Sequence, residues 1–305
     1  MDWSSIENVN ITYRLLNLRG FGAAKANRLL WSLRTNVNSV AQYEEQVIKS
    51  LSPAEAQSFM SHVTFCSEDW DFKYLSVLDE NLYPSRLRSS LRQNTPTILT
   101  YRGNTQLLKK TAVGFSGSRK VSEKGLWITR DSVAQLVKND ICIVSGNAGG
   151  VDLEAHRAAL ENGGTTIMVL PEGIGSFHIR KQLKDVWDWE RVLVISEFMP
   201  QAKWLASRAM QRNQTIIGLS DALCVIEAGE TGGSMDAGRK AMSMGRDLFV
   251  PYYKEVPESA SGNNILIEMG AKKLLRKRDN HTNVDAIIGH IQNARIADGV
   301  LPLLI

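Results

Sequence analysis

An α/β fold built on a Rossmann-like parallel sheet with helices on both faces, preceded by a small helical domain, is what this sequence predicts. Three observations lead there. From about residue 111, short β-rich runs alternate with segments of helical character; glycine-rich loops directly follow three of those runs; and the first seventy residues carry helical patterning with no strand signal. Strands alternating with helices imply parallel pairing, because each crossover helix returns the chain to the same end of the sheet and covers one of its faces.

The helical domain is expected over residues 1–70. Within it, Leu18-Arg19-Gly20-Phe21-Gly22-Ala23-Ala24-Lys25-Ala26, followed by Asn27 to Leu30, has the form of a helix, a two-glycine hairpin and a second helix. It is similar to a helix-hairpin-helix or SAM-like element, whose turn offers backbone N–H groups to a phosphate. The plainer alternative is an αα-hairpin that only packs. Residues 71–110 form a bridge whose prolines and glycine (Pro84, Pro96, Gly103) punctuate extended segments rather than helices. The core is expected over 111–280. Its strands are Thr111 to Phe115, Ile141 to Ser145, Thr165 to Leu170, Val192 to Ser196, Ala222 to Ile226 and Asp247 to Pro251. Its helices are Glu123 to Val137, Leu153 to Asn162, Leu205 to Leu219 and Met235 to Met244. Residues 281–305 are expected to be a short tail, too short for a winged helix.

The three loops are Gly117-Ser118-Arg119, then Ser145-Gly146-Asn147-Ala148-Gly149-Gly150-Val151-Asp152, then Glu227 to Asp236 with Gly232-Gly233-Ser234, the last preceded by Arg212-Asn213 on the helix before its strand. A strand-to-helix turn suits an anion: the first N–H groups of a helix lack internal partners, its dipole favours negative charge, and glycine lets a phosphate reach the bare backbone. Ligands of open α/β sheets bind outside the carboxyl ends of the strands, so three such loops point to one site. The expected binding residues are Gly117, Ser118, Arg119, Ser145, Gly146, Asn147, Arg212, Asn213, Gly232, Gly233 and Ser234. His156 reads as a packing or orienting group.

With 305 residues, 43% hydrophobic and 22% charged, the chain is long enough for one large or two modest domains with a sizeable core. The formal charge of +4 permits a polyanionic partner without demanding one. Cys66, Cys142 and Cys224 form neither a disulfide framework nor a CxxC pair, so no metal is expected. The N-terminal residues have no basic segment leading into an apolar one, and no run reaches membrane-spanning length, which makes a cytoplasmic location the simplest expectation. Lys272, Lys273, Arg276, Lys277 and Arg278 form a basic run that is either a solvated face or an extension of an anion-binding footprint.

Taken in order, Tyr101-Arg-Gly-Asn104, Gly117-Ser-Arg119, Ser145-Gly…Gly150-Val-Asp152…Ala155-His-Arg157, Ser196-Glu197, Arg212-Asn213…Ile217-Gly-Leu-Ser220, Glu227-Ala228…Gly233-Ser234, Gly245-Arg246 and Gly262-Asn-Asn-Ile-Leu-Ile267…Gly270-Ala271 resemble the DNA-processing protein A (DprA/Smf) family over residues 75 to 275. The resemblance implies a single-stranded DNA-binding protein, not an enzyme, that helps load a RecA-type recombinase during natural transformation, with no cofactor. Expected partners are thus single-stranded DNA, the recombinase and a second copy in a homodimer, with no membrane. The chain departs from the family pattern at Gly149 and Gln214, where arginines are usual, and at Asp236, where an apolar residue is usual. The two lost charges also fit an interaction protein whose anion site has decayed.

An enzymatic reading stands beside this one. Cytokinin-activating phosphoribohydrolases of the Rossmann type use an arginine and a carboxylate near a Pro-Gly-Gly-x-Gly-Thr-x-x-Glu loop, and Gly233-Ser234-Met235-Asp236 is similar to its end. Arg212 and Asp236 would then be catalytic in hydrolysing a nucleotide N-glycoside, with arginine on phosphate and carboxylate near the sugar. Glu227-Ala228-Gly229 stands where Pro-Gly-Gly would be, and Asp236 also fits a first-turn carboxylate that simply meets the helix dipole.

Overall fold

The structure is a computed structural model and describes residues 1–62, 66 and 70–297. The expected domain boundary near residue 70 and the end of the expected tail fall partly outside the described residues. The chain divides into two compact units. One comprises Met1–Arg102, Leu170–His178 and Val194–Leu205; the other comprises Gly103–Val169, Ile179–Leu193 and Ala206 onward.

The first unit begins with four helices, α1 (Ile6–Leu16), α2 (Ala23–Leu33), α3 (Val40–Lys49) and α4 (Pro53–Ser61). Their starts are written in the sequence. Ser5 and Ser39 accept bonds from Asn8 N and Gln42 N, and Ser52 with Glu55 forms a capping box around Pro53. Those bonds, with Lys25 3.0 Å away, hold the Glu55 carboxyl down to about 2. The hairpin between α1 and α2 buries Leu18 and Phe21, while Gly20 takes a positive φ of 81° that only glycine adopts without strain. After the helices come β1 (Lys73–Ser76), α5 (Ser85–Leu91) and β2 (Ile98–Gly103), with β1 antiparallel to β2 and Tyr74 opposite Thr100. Helix α5 departs from the expected all-extended bridge. Its Leu87 and Leu91, one turn apart, are both buried, and this spacing prevails over the punctuation of Pro84.

The second unit carries β3 (Ala112–Ser116), α6 (Glu123–Val137), β4 (Cys142–Ser145), α7 (Val151–Glu161), β5 (Thr166–Val169), the start of β6 (Val192–Ser196), α8 (Ala206–Leu219), β7 (Ala222–Val225), α9 (Gly233–Ser243), β8 (Asp247–Pro251), α10 (Asn263–Glu268), β9 (Lys272–Leu274) and α11 (Asp285–Ala297). Strands β5, β4, β3, β7, β8 and β9 are neighbours in that order, and every pair is parallel. All six strands expected in the core are present, with ends within a residue or two. Strand β9 departs from expectation: the basic run opens as an edge strand with Lys272 and Lys273 exposed and Leu274 buried. The expected tail carries α11.

Strands β3, β4 and β7 are buried almost throughout because helices cover them. Val113, Phe115, Ile143, Ala222 and Cys224 pack with Val133 and Leu136 of α6 and with Ala155, Ala158 and Ala159 of α7, whose small side chains let that helix lie close. Cys224 is inside this core; Cys142, next to Ile143 on β4, is also buried, and burial pushes its thiol up to about 11. From β3 the chain winds one way through β4 to β5, then returns to the other side of β3 with β7. The sheet's switch point is therefore at β3 and β7, and parallel pairing places the loops after β3, β4 and β7 at one edge.

Candidate nucleic-acid interface

The first loop leaves β3 at Gly117. Ser118 N donates to Glu227 O (2.8 Å), joining this loop to the one after β7, and Val151 N donates to Ser118 O (3.3 Å), joining it to the start of α7. The two glycines here are required by packing: a Cβ on Gly117 would run into Val151, and one on Gly150 into the Ser118 and Arg119 backbone. Ser118 Oγ accepts from Lys120 N (3.0 Å), and Arg119 and Lys120 are exposed.

In the second loop the expected residues divide by depth. Ser145 is fully buried and its hydroxyl donates to Phe115 O (2.7 Å), so this side chain stitches β4 to β3. Gly146 lies against Arg212: a Cβ there would fall on the guanidinium. Arg212, 6% exposed, has Nη1 4.0 Å from Asp152 Oδ2, and that carboxylate also accepts from Ala148 N (3.2 Å). His156 Nε2 donates to Gly146 O (2.7 Å). Burial is the main force lowering the His156 pKa, so the ring is neutral near pH 7. A carbonyl only accepts, which puts the proton of the neutral ring on Nε2; Nδ1 lies 2.7 Å from Thr166 Oγ1, whose single proton is shared with Ile143 O (2.8 Å). His156 thus orients the Gly146 peptide.

The third loop receives Asn213, whose Nδ2 donates to Gly233 O (3.1 Å) and pins the start of α9 to α8. Gly232, the N-cap of α9, takes φ 98°; Gly232 and Gly233 are exposed, and no side chain caps the helix. The three helix starts therefore differ. Helix α6 is capped by Ser122; α7 and α9 both start on a glycine without a side-chain cap and carry a first-turn carboxylate, but Gly150 packs against the Ser118 and Arg119 backbone whereas Gly232 is exposed. Helix α9 presents an uncapped glycine end, the geometry most open to an anion. Asp236 in its first turn pairs with Lys240 (2.8 Å), whose ammonium also donates to Met210 O (2.7 Å).

Two residues outside the expected set complete the arrangement. Arg180 donates through Nε to Asn147 Oδ1 (2.9 Å) and through Nη2 to Asn147 O, bringing a cation to the loop that lacks one at Gly149. Glu227 is fully buried, and its carboxylate accepts from Ser122 N (2.9 Å), Ser122 Oγ (2.5 Å), Tyr253 OH (3.1 Å) and Ser259 Oγ (2.5 Å). Burial, then the neighbouring Glu227 charge, raises the Tyr253 pKa, so the phenol stays a donor. A carboxylate at the end of a buried strand was a readable signal for Glu227. Arg180 had none, because its partner is 33 positions away.

An open parallel sheet with its switch point at β3 and β7, with Arg119 and Arg180 on its loops and Arg212 on α8 behind them, defines a doubly wound α/β protein equipped for an anionic ligand. Residues 74–285 match the family model described as DNA recombination-mediator protein A, and the chain belongs to that family. It is 37% identical over 210 residues to the DNA processing protein DprA of Streptococcus pneumoniae, covering 68% of this chain and 73% of that one. To Protein Smf of Borreliella burgdorferi it is 29% identical over 181 residues, 58% of this chain and only 56% of that protein's length. Among solved structures, DprA of S. pneumoniae superposes with a TM-score of 0.68 at 29% identity, covering 88% of this chain and 94% of that one. DprA of Helicobacter pylori, from work on its single-stranded DNA binding mode, gives 0.59 at 26% identity, covering 75% and 98%.

Proposed function

We propose that this chain binds single-stranded DNA without strong sequence choice, holding the phosphodiester backbone along the edge formed by the loops after β3, β4 and β7. The observation that carries this reading is the convergence of Arg119, the Arg180-clamped Asn147, the Arg212-backed Gly146 and the uncapped start of α9 at one sheet edge. Phosphate neutralisation is sequence-independent, and a strand without a complement can follow such an edge. In this reading the core over 111–280 binds DNA, the helical residues 1–70 are accessory, and the protein acts in the cytoplasm as a homodimer that delivers the strand to a RecA-type recombinase. The H. pylori relative, described by its single-stranded DNA binding, supports the choice of ligand. The pairing of Asp236 with Lys240 gives the hydrolytic alternative no support. Among the described residues no helix is long and apolar enough to cross a membrane.

Fluorescence anisotropy with single-stranded and duplex oligonucleotides over a salt series tests the reading. The single strand should bind more tightly, and log K should fall by about 0.7 per contacted phosphate for each tenfold rise in salt. Absence of binding at low salt, or indifference to salt, refutes it.

A further inference from the structure

A groove of about 930 Å³ lies where the basic run meets α6 and the end of β8, outside every residue assigned above to the DNA edge. Trp127 and Tyr252 line it and are 38% and 47% exposed, large values for aromatic rings. Cations attend both rings: the Arg276 guanidinium is 5.5 Å from the Trp127 centroid and Lys273 Nζ 4.7 Å from that of Tyr252. Lys124, Lys254 and Arg278 add positive charge to the walls, and among the described residues no acidic side chain lines the groove. Lys277 is paired with Asp285 (2.7 Å); Lys254 and Arg278 have no carboxylate partner among the described residues.

Half-exposed rings among unneutralised cations suit a ligand that is flat and apolar in one part and anionic in the next. That is an unpaired nucleotide strand, whose bases stack on aromatic faces while its phosphates meet lysine and arginine. Location supports the same occupant. Lys124 and Trp127 lie in the first turns of α6, directly after the Arg119 loop, and Tyr252 and Leu275 follow the carboxyl ends of β8 and β9. The groove therefore continues the edge already assigned to the backbone, and β9 is only two strand spacings, about 10 Å, from β7.

We propose that the groove holds bases of the same single strand, stacked on Trp127 and Tyr252; this rests on the single-stranded DNA reading above. A base entering it displaces Arg276 and Lys273 from the rings onto the flanking phosphates. The test uses the full chain and oligothymidylates in anisotropy titrations, with Trp127→Leu, Tyr252→Leu and the Lys254→Ala/Arg278→Ala double variant beside Arg119→Ala. Each leucine variant should bind single strands about tenfold more weakly and duplex unchanged, since paired bases cannot stack on a protein ring. The double variant should flatten the salt slope by about 1.4, twice the single-phosphate value. Oligothymidylate carrying 5-iodouracil should crosslink to Trp127 or Tyr252.

If Arg119→Ala weakens binding while folded groove variants keep wild-type affinity and slope, the groove proposal falls and the loop-edge reading stands. If the wild type binds no single strand at all, both fall. Displacement of a bound probe by polyglutamate but not by oligothymidylate would assign the groove to an acidic protein partner and overturn the proposal. Should Trp127→Leu not fold, the salt slope of the lysine and arginine variant decides.

Discussion

Replacing Gly149 with arginine should tighten single-stranded DNA binding by about tenfold. The position accepts the change: its φ lies outside the left-handed region, and a Cβ built there meets nothing within 4 Å. Removing a glycine at an ordinary φ also stabilises the fold, by about 0.4 to 1 kcal/mol, because the unfolded chain loses freedom. A guanidinium bonding to phosphate contributes about 1.5 to 3 kcal/mol, and ordering a long side chain takes back up to about 2. The lower half of the gross range is the better expectation, and 1.4 kcal/mol is a factor of ten in affinity. Repulsion from Arg180, which is bonded to Asn147 two positions away, costs about 0.6 kcal/mol at roughly 7 Å in water and does not reverse the sign. Anisotropy titrations over a salt series provide the assay, with a thermal melt to establish folding. The salt slope should steepen by about 0.7. A folded variant with wild-type affinity and slope would show that residue 149 faces away from the strand, and the proposed path along this edge would be wrong.

Four further outcomes follow from the same geometry. Arg119→Ala and Arg212→Ala should each weaken single-strand binding by an amount on the order of 1.5 to 3 kcal/mol; the buried Arg212 should also lower the melting temperature, whereas the exposed Arg119 should not. Asp236→Asn should leave binding unchanged or strengthen it, because a carboxylate at the α9 start repels phosphate; release of free base from nucleoside monophosphates that vanishes in this variant would instead establish hydrolysis. Glu227→Gln should destabilise the chain by about 3 kcal/mol in urea unfolding, since an amide nitrogen would face one of the four donors now directed at the carboxylate. Acid should weaken the fold through His156: its folded pKa lies below the ordinary 6.5, so stability is complete above that value and declines as pH falls below it, and His156→Gln should remove that part of the pH dependence of urea unfolding.

The core was legible because its strands are buried on both faces and are written as continuous apolar runs, three of them closed by a glycine loop. Periodicity ended at the edges. The triplet Lys272-Lys273-Leu274 is too short and too charged to announce β9, which exists because Phe249, Val250 and Pro251 of β8 offer a partner. Helix α5 was hidden by the prolines that flank it. Of the eleven residues expected at the site, eight lie on the loops and the start of α9, Ser145 ends β4, and Arg212 and Asn213 sit mid-way along α8; their depth could not be inferred locally. Ser145 and Arg212 read alike in sequence as contact residues, yet both are buried against neighbours that only the folded chain brings together.

The Glu227 carboxylate gathers groups 105 positions before it, at Ser122, and 32 after it, at Ser259. Closing loops of that length carries an entropic cost that local contacts avoid, although it grows only slowly with length. A chain still emerging from the ribosome, with strands through β7 formed but Ser259 not yet released, has the loops without the knot that fixes them. A chain ending before Tyr253 and Ser259 would keep the Ser122 bonds but lose two of the four donors to this carboxylate, so the loops it ties together should be held less firmly.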